Sequence, residues 1–261
     1  LTPPELDTSP LDTARRLAEN GDLEGAAEIF GRLAGDDSAP ERAQAAVGLA
    51  VVLEEQGDHP GARRAARIAL SAGPTEYSAQ AACLLAQSFE REGSAEQARG
   101  AWQAVLGVGH DDYVPLAHMA LARLAAEEND LDGAETQLRA ALEAGGPMTA
   151  AQRLADLLLE RGEPGEAADL IEAALERADD DTAARLRVQL GIAHLELACA
   201  QFAAAAEDGR DRETVSLAIE LLARTLPLRG RPEQAEQVWS YGLDHDDEEL
   251  AEQVRLRRER G

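Results

Sequence analysis

The chain has 261 residues, 44% of them apolar and 29% charged, a balance suited to a buried core and contrary to wholesale disorder. Its 25 basic residues are all arginine and face 50 acidic ones, and the net charge of −25 argues against nucleic acid or an anionic membrane as a direct partner. Eight residues are aromatic and the apolar share rests on Ala and Leu, which favours closely packed helices over sheet.

Leu1 to Pro10, with prolines at 3, 4 and 10, reads as a linker, and the start at Leu1 without an initiator Met is expected of a domain cut from a longer polypeptide. It lacks the basic and apolar regions of a signal peptide. No apolar run approaches the roughly 20 residues needed to cross a bilayer. Cys83 and Cys199 are too few and too far apart for a disulfide framework or a zinc site, so a reduced, cytoplasmic setting is expected, with no metal and no cofactor.

From Leu11 onward the chain repeats. Turn signals stand at Gly21, Gly57, Gly93, Asn129, Gly162 and Gly230, at intervals of 36, 36, 36, 33 and 68, the last being twice 34. Seven residues before each turn stands an alanine (Ala14, Ala50, Ala86, Ala122, Ala155, Ala223). Five after stands another (Ala26, Ala62, Ala98, Ala134, Ala167, Ala235). Nine after, the residue is apolar and usually large: Phe30, Ala66, Trp102, Leu138, Ile171 and Trp239. Small residues in fixed phase on two successive helices are what close backbone approach requires, and a bulky residue one turn later fills the space between neighbouring pairs. Each unit therefore reads as an αα-hairpin.

These features resemble the tetratricopeptide repeat, a helix-turn-helix unit of about 34 residues with Leu-Gly-x-x-Tyr in its first helix and Ala-x-x-x-Phe in its second. Ala26 to Phe30, Ala98 to Trp102 and Ala235 to Trp239 match the second element, and Leu190-Gly191 to His194 matches the first with His in the aromatic place. Pro74 stands where the family often closes a unit, and Pro147 stands one residue late. The resemblance covers Leu11 to Asp247. It implies an all-α, right-handed superhelical solenoid of about seven hairpins, occupying residues 11–261.

One stretch departs from the pattern. Between Gly162 and Gly230 a turn is due near Glu196 to Ala198, yet nothing there breaks a helix. Either two helices meet at a turn built without glycine, or Thr182 to Glu207 is one helix ended by Asp208-Gly209; the stacking of a solenoid favours the turn. Beyond about residue 246, Asp246 to Glu249 are acidic and Arg255, Arg257, Arg258 and Arg260 basic, the polarity of a capping helix.

Catalytic constellations are not evident. His194 and Cys199 are read as packing residues, and Asp179-Asp180-Asp181 and Asp244-His245-Asp246-Asp247 as helix caps, neither having the spacing of a calcium loop. The chain is read as no enzyme. In the family it resembles, the first helices line a concave groove. The residues ten, six and three before each turn point there: Val47, Val51 and Glu54; Cys83, Gln87 and Glu90; Met119, Arg123 and Ala126; Gln152, Asp156 and Leu159. The apolar ones serve equally well as inter-helix packing. Some members of the family bind acidic C-terminal tails through Lys, Arg and Asn, but this chain has no Lys and no Asn on those faces. The expected ligand is instead a protein or peptide with Arg or Lys and a few apolar anchors, drawn by the negative field. The resulting expectation is a protein-binding scaffold or adaptor. The alternative is a regulatory or sensory module of a larger signalling protein, such as a transcriptional regulator or kinase. A homodimer through the Leu17 and Leu33 face of the first hairpin is a further possibility.

Overall fold

In the computed structural model, residues 9–260 are described. They form fourteen α-helices and one short 3-10 helix, with no strand among the described residues. They fall into two compact units, the first ending at Ala150 and the second beginning at Ala151. The expected linker lies largely outside the described residues, and its end is corrected: Pro10 is already helical. Ser9 caps α1 (Pro10–Glu19) by accepting the Asp12 N–H at 3.1 Å, and proline suits a first helical position because no donor is needed there.

The first unit continues with α2 (Leu23–Gly35), α3 (Arg42–Glu55), α4 (His59–Ala72), α5 (Thr75–Arg91), α6 (Ala95–Val108), α7 (Val114–Glu127) and α8 (Leu131–Glu143). Next comes α9 (Met148–Glu160), most of which belongs to the second unit, followed by α10 (Pro164–Leu175), α11 (Asp180–Asp208), α12 (Arg212–Thr225), α13 (Pro232–Leu243) and α14 (Glu248–Glu259). All six turn centres have positive φ, from +60° at Asn129 to +83° at Gly21. At each, the turn N–H donates to the carbonyl three residues back and the next N–H to the carbonyl five back, as in Gly57 to Glu54 and Asp58 to Leu53. This left-handed closure satisfies the last carbonyls of the first helix, and it needs glycine or asparagine because a Cβ is crowded in that region.

Three of the turns add a device that the repeat pattern alone does not reveal. Asp22, Asp58 and Asp130 cap the second helix by accepting the N–H of Gly25, Gly61 and Gly133, each at 2.9 Å. A Cβ on Gly61 would stand 2.1 Å from the Asp58 carboxylate, so the cap and the glycine belong together.

Within the first unit each helix packs on the next, and first helices of neighbouring hairpins also meet, α1 with α3 and α3 with α5. All twelve phased alanines are buried, as are the six residues nine places after the turns. Phe30 of α2 lies over Gly48 of α3 so closely that a Cβ there would come within 2.7 Å of the ring. Trp102 is buried among Ala82, Cys83, Ala98, Ala117 and Leu121, which joins two hairpins in one cluster. Burying a side chain of this size contributes about 1.5–3 kcal/mol or more, and the alanines set how near the backbones come. Leu17 and Leu33 are half-buried against the cluster around Phe30.

In the second unit the expected turn near Glu196 is absent. α11 runs unbroken for 29 residues, which corrects the two-helix reading. No Gly or Pro interrupts 192–208, and the run is rich in Ala and Leu, the residues that lose least in a helix. The place of the turn is also held from outside: Glu196 accepts from Arg229 at 2.8 Å and from Arg231, both from the segment between α12 and α13. Six hairpin turns are thus present among the described residues, and the one due between Gly162 and Gly230, sixth in chain order, is replaced by a single helix. A second correction follows. Between Arg187 and Glu207 the joined helix carries Glu196 as its one formal charge, and by length and composition it is long and apolar enough to cross a bilayer.

α14 packs on α12 and α13. Val254 and Leu250 are buried with Ile219 and Trp239, and Gly242 admits Val254 where a Cβ would stand 2.9 Å from its methyl. Arg257 pairs with Glu220 at 2.7 Å, and Arg258 lies over the Trp239 ring at 5.9 Å. Both acidic clusters act as caps: Asp179 accepts from the Thr182 N–H, and Asp247 from the N–H groups of Glu249 and Leu250. Hydrogen bonds from Thr182 hold the Asp179 carboxyl below its usual range, and Arg212 does the same for Asp247.

Candidate functional site

The residues predicted to line the first helices fall into three kinds. Val47 and Cys83, ten before their turns, are buried at 6% and 5% exposure in hydrophobic clusters, so their place is in the core. Met119 and Gln152, at the same position, are half-buried. The row six before the turns is open: Val51, Gln87 and Asp156 are exposed, and the Arg123 side chain is 38% exposed. In the row three before the turns Glu54 and Glu90 are engaged, Ala126 is exposed and Leu159 is half-buried.

The charged members of this set are all held by neighbouring side chains. Glu54 Oε2 meets His59 Nδ1 at 2.8 Å and Arg91 at 3.0 Å. Burial opposes ionisation of Glu54, but contacts with Ser88, His59 and Arg91 outweigh it and hold the carboxyl below its ordinary value. Glu90 Oε1 accepts the Trp102 indole N–H at 2.8 Å and pairs with Arg123 at 2.5 Å, and Arg123 also reaches Glu127 at 2.6 Å. The amide of Gln189 on α11 donates to the Gln152 carbonyl at 3.3 Å and to Asp156 at 2.6 Å. These contacts tie α3 to α5, α5 to α7 and α9 to α11. Sequence reasoning missed a second ladder of the same kind, Arg63 to Glu92 at 2.9 Å and Arg99 to Glu128 at 2.5 Å. Its signal was present, since each arginine stands six after a turn and each glutamate one before the following turn.

The second unit holds a cavity of about 800 Å³, which sequence reasoning did not foresee. It is lined by Leu159, Glu160, Gly162 and Pro164 at the α9–α10 turn, by Glu196, Cys199, Ala200, Ala203, Ala206 and Glu207 of α11, by Ile219, Leu222 and Leu226, and by Arg231, Gln234, Gln237, Val238 and Tyr241 in and just before α13. Of the predicted site residues, Leu159 lines it. The α11 residues recur every three or four positions, as do Gln234, Gln237 or Val238, and Tyr241, so each helix presents one face. Tyr241 is 51% exposed. Burial works against ionisation of Glu196, but Arg229 and Arg231 prevail and hold its carboxyl down.

Neither thiol is set up as a nucleophile. Burial pushes Cys83 up to about 12 and raises Cys199, where Glu196 adds to the effect. His118 bonds Gln137 at 2.8 Å, and His194 is exposed whereas Cys199 is buried. Among the described residues no group of three or more His, Cys, Asp or Glu side chains is placed to hold a metal.

A family model described as a tetratricopeptide repeat-like domain matches residues 44–196, more than half of the chain. Among solved structures, the crystal structure of MamA superposes with a TM-score of 0.50 at 18% identity, covering 64% of this chain and 88% of that one. The structure of Naa15/Naa10 bound to HypK-THB gives 0.52 at 15% identity over 96% of this chain and 38% of that one. A tetratricopeptide repeat protein from Parabacteroides merdae gives 0.49 at 16% identity, with 95% and 97% covered. At such identities the likeness is one of fold. No curated protein matches the chain.

Proposed function

The chain belongs to the tetratricopeptide repeat-like family, and from that premise we propose that it is a non-catalytic scaffold whose first helices receive a peptide or helix of a partner protein. The observation that carries this reading is the open row six residues before the turns. Within the first unit Val51 and Gln87 are exposed and the Arg123 side chain is 38% exposed, on helices whose opposite faces are buried, and Asp156 is exposed in the second unit. Val47 and Cys83 support the row from the core, and Glu54 and Glu90 hold neighbouring helices in place; Met119 is half-buried beside them, and Gln152 and Leu159 are half-buried in the second unit. The ligand carries basic and apolar residues, because a body of charge −25 attracts cations and repels acidic tails. The scaffold reading goes with a cytoplasmic setting and asks no chemistry of the two buried thiols or of His118, which bonds Gln137.

The test is a pull-down from the native host with the whole chain and with a variant carrying Val51→Asp, Gln87→Ala and Arg123→Ala together. A partner retained by the wild type and lost by the folded variant is the expected result. Equal retention by both proteins places the binding surface elsewhere.

A further inference from the structure

Resting on the scaffold reading but on a different surface, we propose that the cavity of the second unit receives a helix of about three turns from a basic partner protein, seated where the second helix of the sixth hairpin is missing. The repeat period calls for that helix to begin just after Glu196 and to fold back. Instead α11 continues to Asp208; it packs on α12 through Cys199 and Ala206, and beside those contacts Ala200, Ala203 and Glu207 line an open cavity.

Dimensions and surface chemistry agree on the occupant. From Glu196 to Glu207 the α11 face covers twelve residues, about 16 Å at about 1.5 Å per step, which matches about three helical turns. Ala200 and Ala203 let a backbone come near, and Val238, packed with Ala203 on the same apolar cluster, supplies apolar surface. Helices bound in grooves use anchors spaced i, i+3 or i+4, and i+7, and two helical walls present that spacing.

Charge selects the partner. Glu196 is neutralised by its two arginines, but Glu160 and Glu207 at the cavity are exposed and make no ion pair among the described residues. An incoming helix with Arg or Lys beside its apolar stripe satisfies both. A second copy of this chain is disfavoured, because each copy carries −25.

The experiment uses the whole chain and fluorescein-labelled synthetic helical peptides of about three to four turns. One carries leucines at i, i+3 and i+7 with flanking arginines, and its twin carries glutamates in place of the arginines. The arginine peptide is expected to bind at least about tenfold more tightly by fluorescence anisotropy. Ala200→Trp, at an exposed position, fills the cavity and weakens binding at least about tenfold with circular dichroism unchanged. Glu207→Arg narrows the preference between the two peptides, and it tests the idea even if the tryptophan variant fails to fold. Equal binding of both peptides, or no binding up to about 1 mM, overturns the proposal. So does unchanged binding by folded Ala200→Trp. Loss of the peptide in the Val51, Gln87 and Arg123 variant, with Ala200→Trp still binding, overturns it while leaving the scaffold reading standing.

Discussion

Gly57 holds a φ of +81° with nothing within 4 Å of the place a Cβ would take, so its replacement is penalised by backbone geometry alone. Gly57→Ala is expected to lower stability by about 1–2 kcal/mol in urea denaturation. Gly100→Ala, on the exposed interior of α6 with equally open surroundings, should raise stability by up to about 1 kcal/mol. Equal effects at the two sites would show that the turn conformation is not what fixes the glycine. Glu196 gives the second prediction at this scale. Its carboxyl is held below the usual range in the folded chain, so it binds a proton less readily there than in the unfolded chain. The stability it contributes is complete above the unfolded value of about 4.3 and is lost as pH falls through the folded one. Glu196→Gln should therefore flatten the acid limb of a pH series of melting temperatures, and an unaltered limb would count against the clamp. The turns were legible in sequence because left-handed backbone admits few residue types. The pairs Arg63 to Glu92 and Arg99 to Glu128 also keep a fixed phase with the turns, but with partners 29 residues apart that phase gains meaning only once the packing of hairpins is known.

Each hairpin is an element whose two helices were legible from alanine phase, and the burial of all twelve alanines bears that reading out. The reading erred at α11. Stacking was expected to impose a turn near Glu196, but local propensity ran the other way and a two-arginine clamp holds the place where the chain would have bent. Ala198→Pro separates the two arrangements. In a continuous helix it removes a hydrogen bond and clashes with the preceding turn, at about 3 kcal/mol or more, whereas a hairpin bend at this point would accept it with little loss. A fall in melting temperature with reduced helical signal is the expected outcome. The same mistake hid the cavity, since a folded-back helix would have covered the face of α11 that lines it.

For the whole molecule, the net charge acts on every encounter. Raising salt from about 0.01 M to 0.15 M shortens the screening length from about 30 Å to 8 Å, so a basic ligand should bind more weakly as salt rises. Titrations insensitive to salt would leave burial alone as the source of affinity. The candidate lining was only partly readable, because a helix has one face toward its hairpin partner and another toward the next hairpin. Val47 and Cys83 proved to be core, whereas Val51 and Gln87 stayed open. What the sequence by itself determined is the repeat: glycine or asparagine at each left-handed turn and alanine at each close approach, both requirements of local backbone geometry. Only the tertiary structure decided which first-helix residues are free, where the repeat lapses into one long helix, and that a cavity opens there. Those outcomes depend on contacts between residues tens of positions apart, which no local pattern specifies.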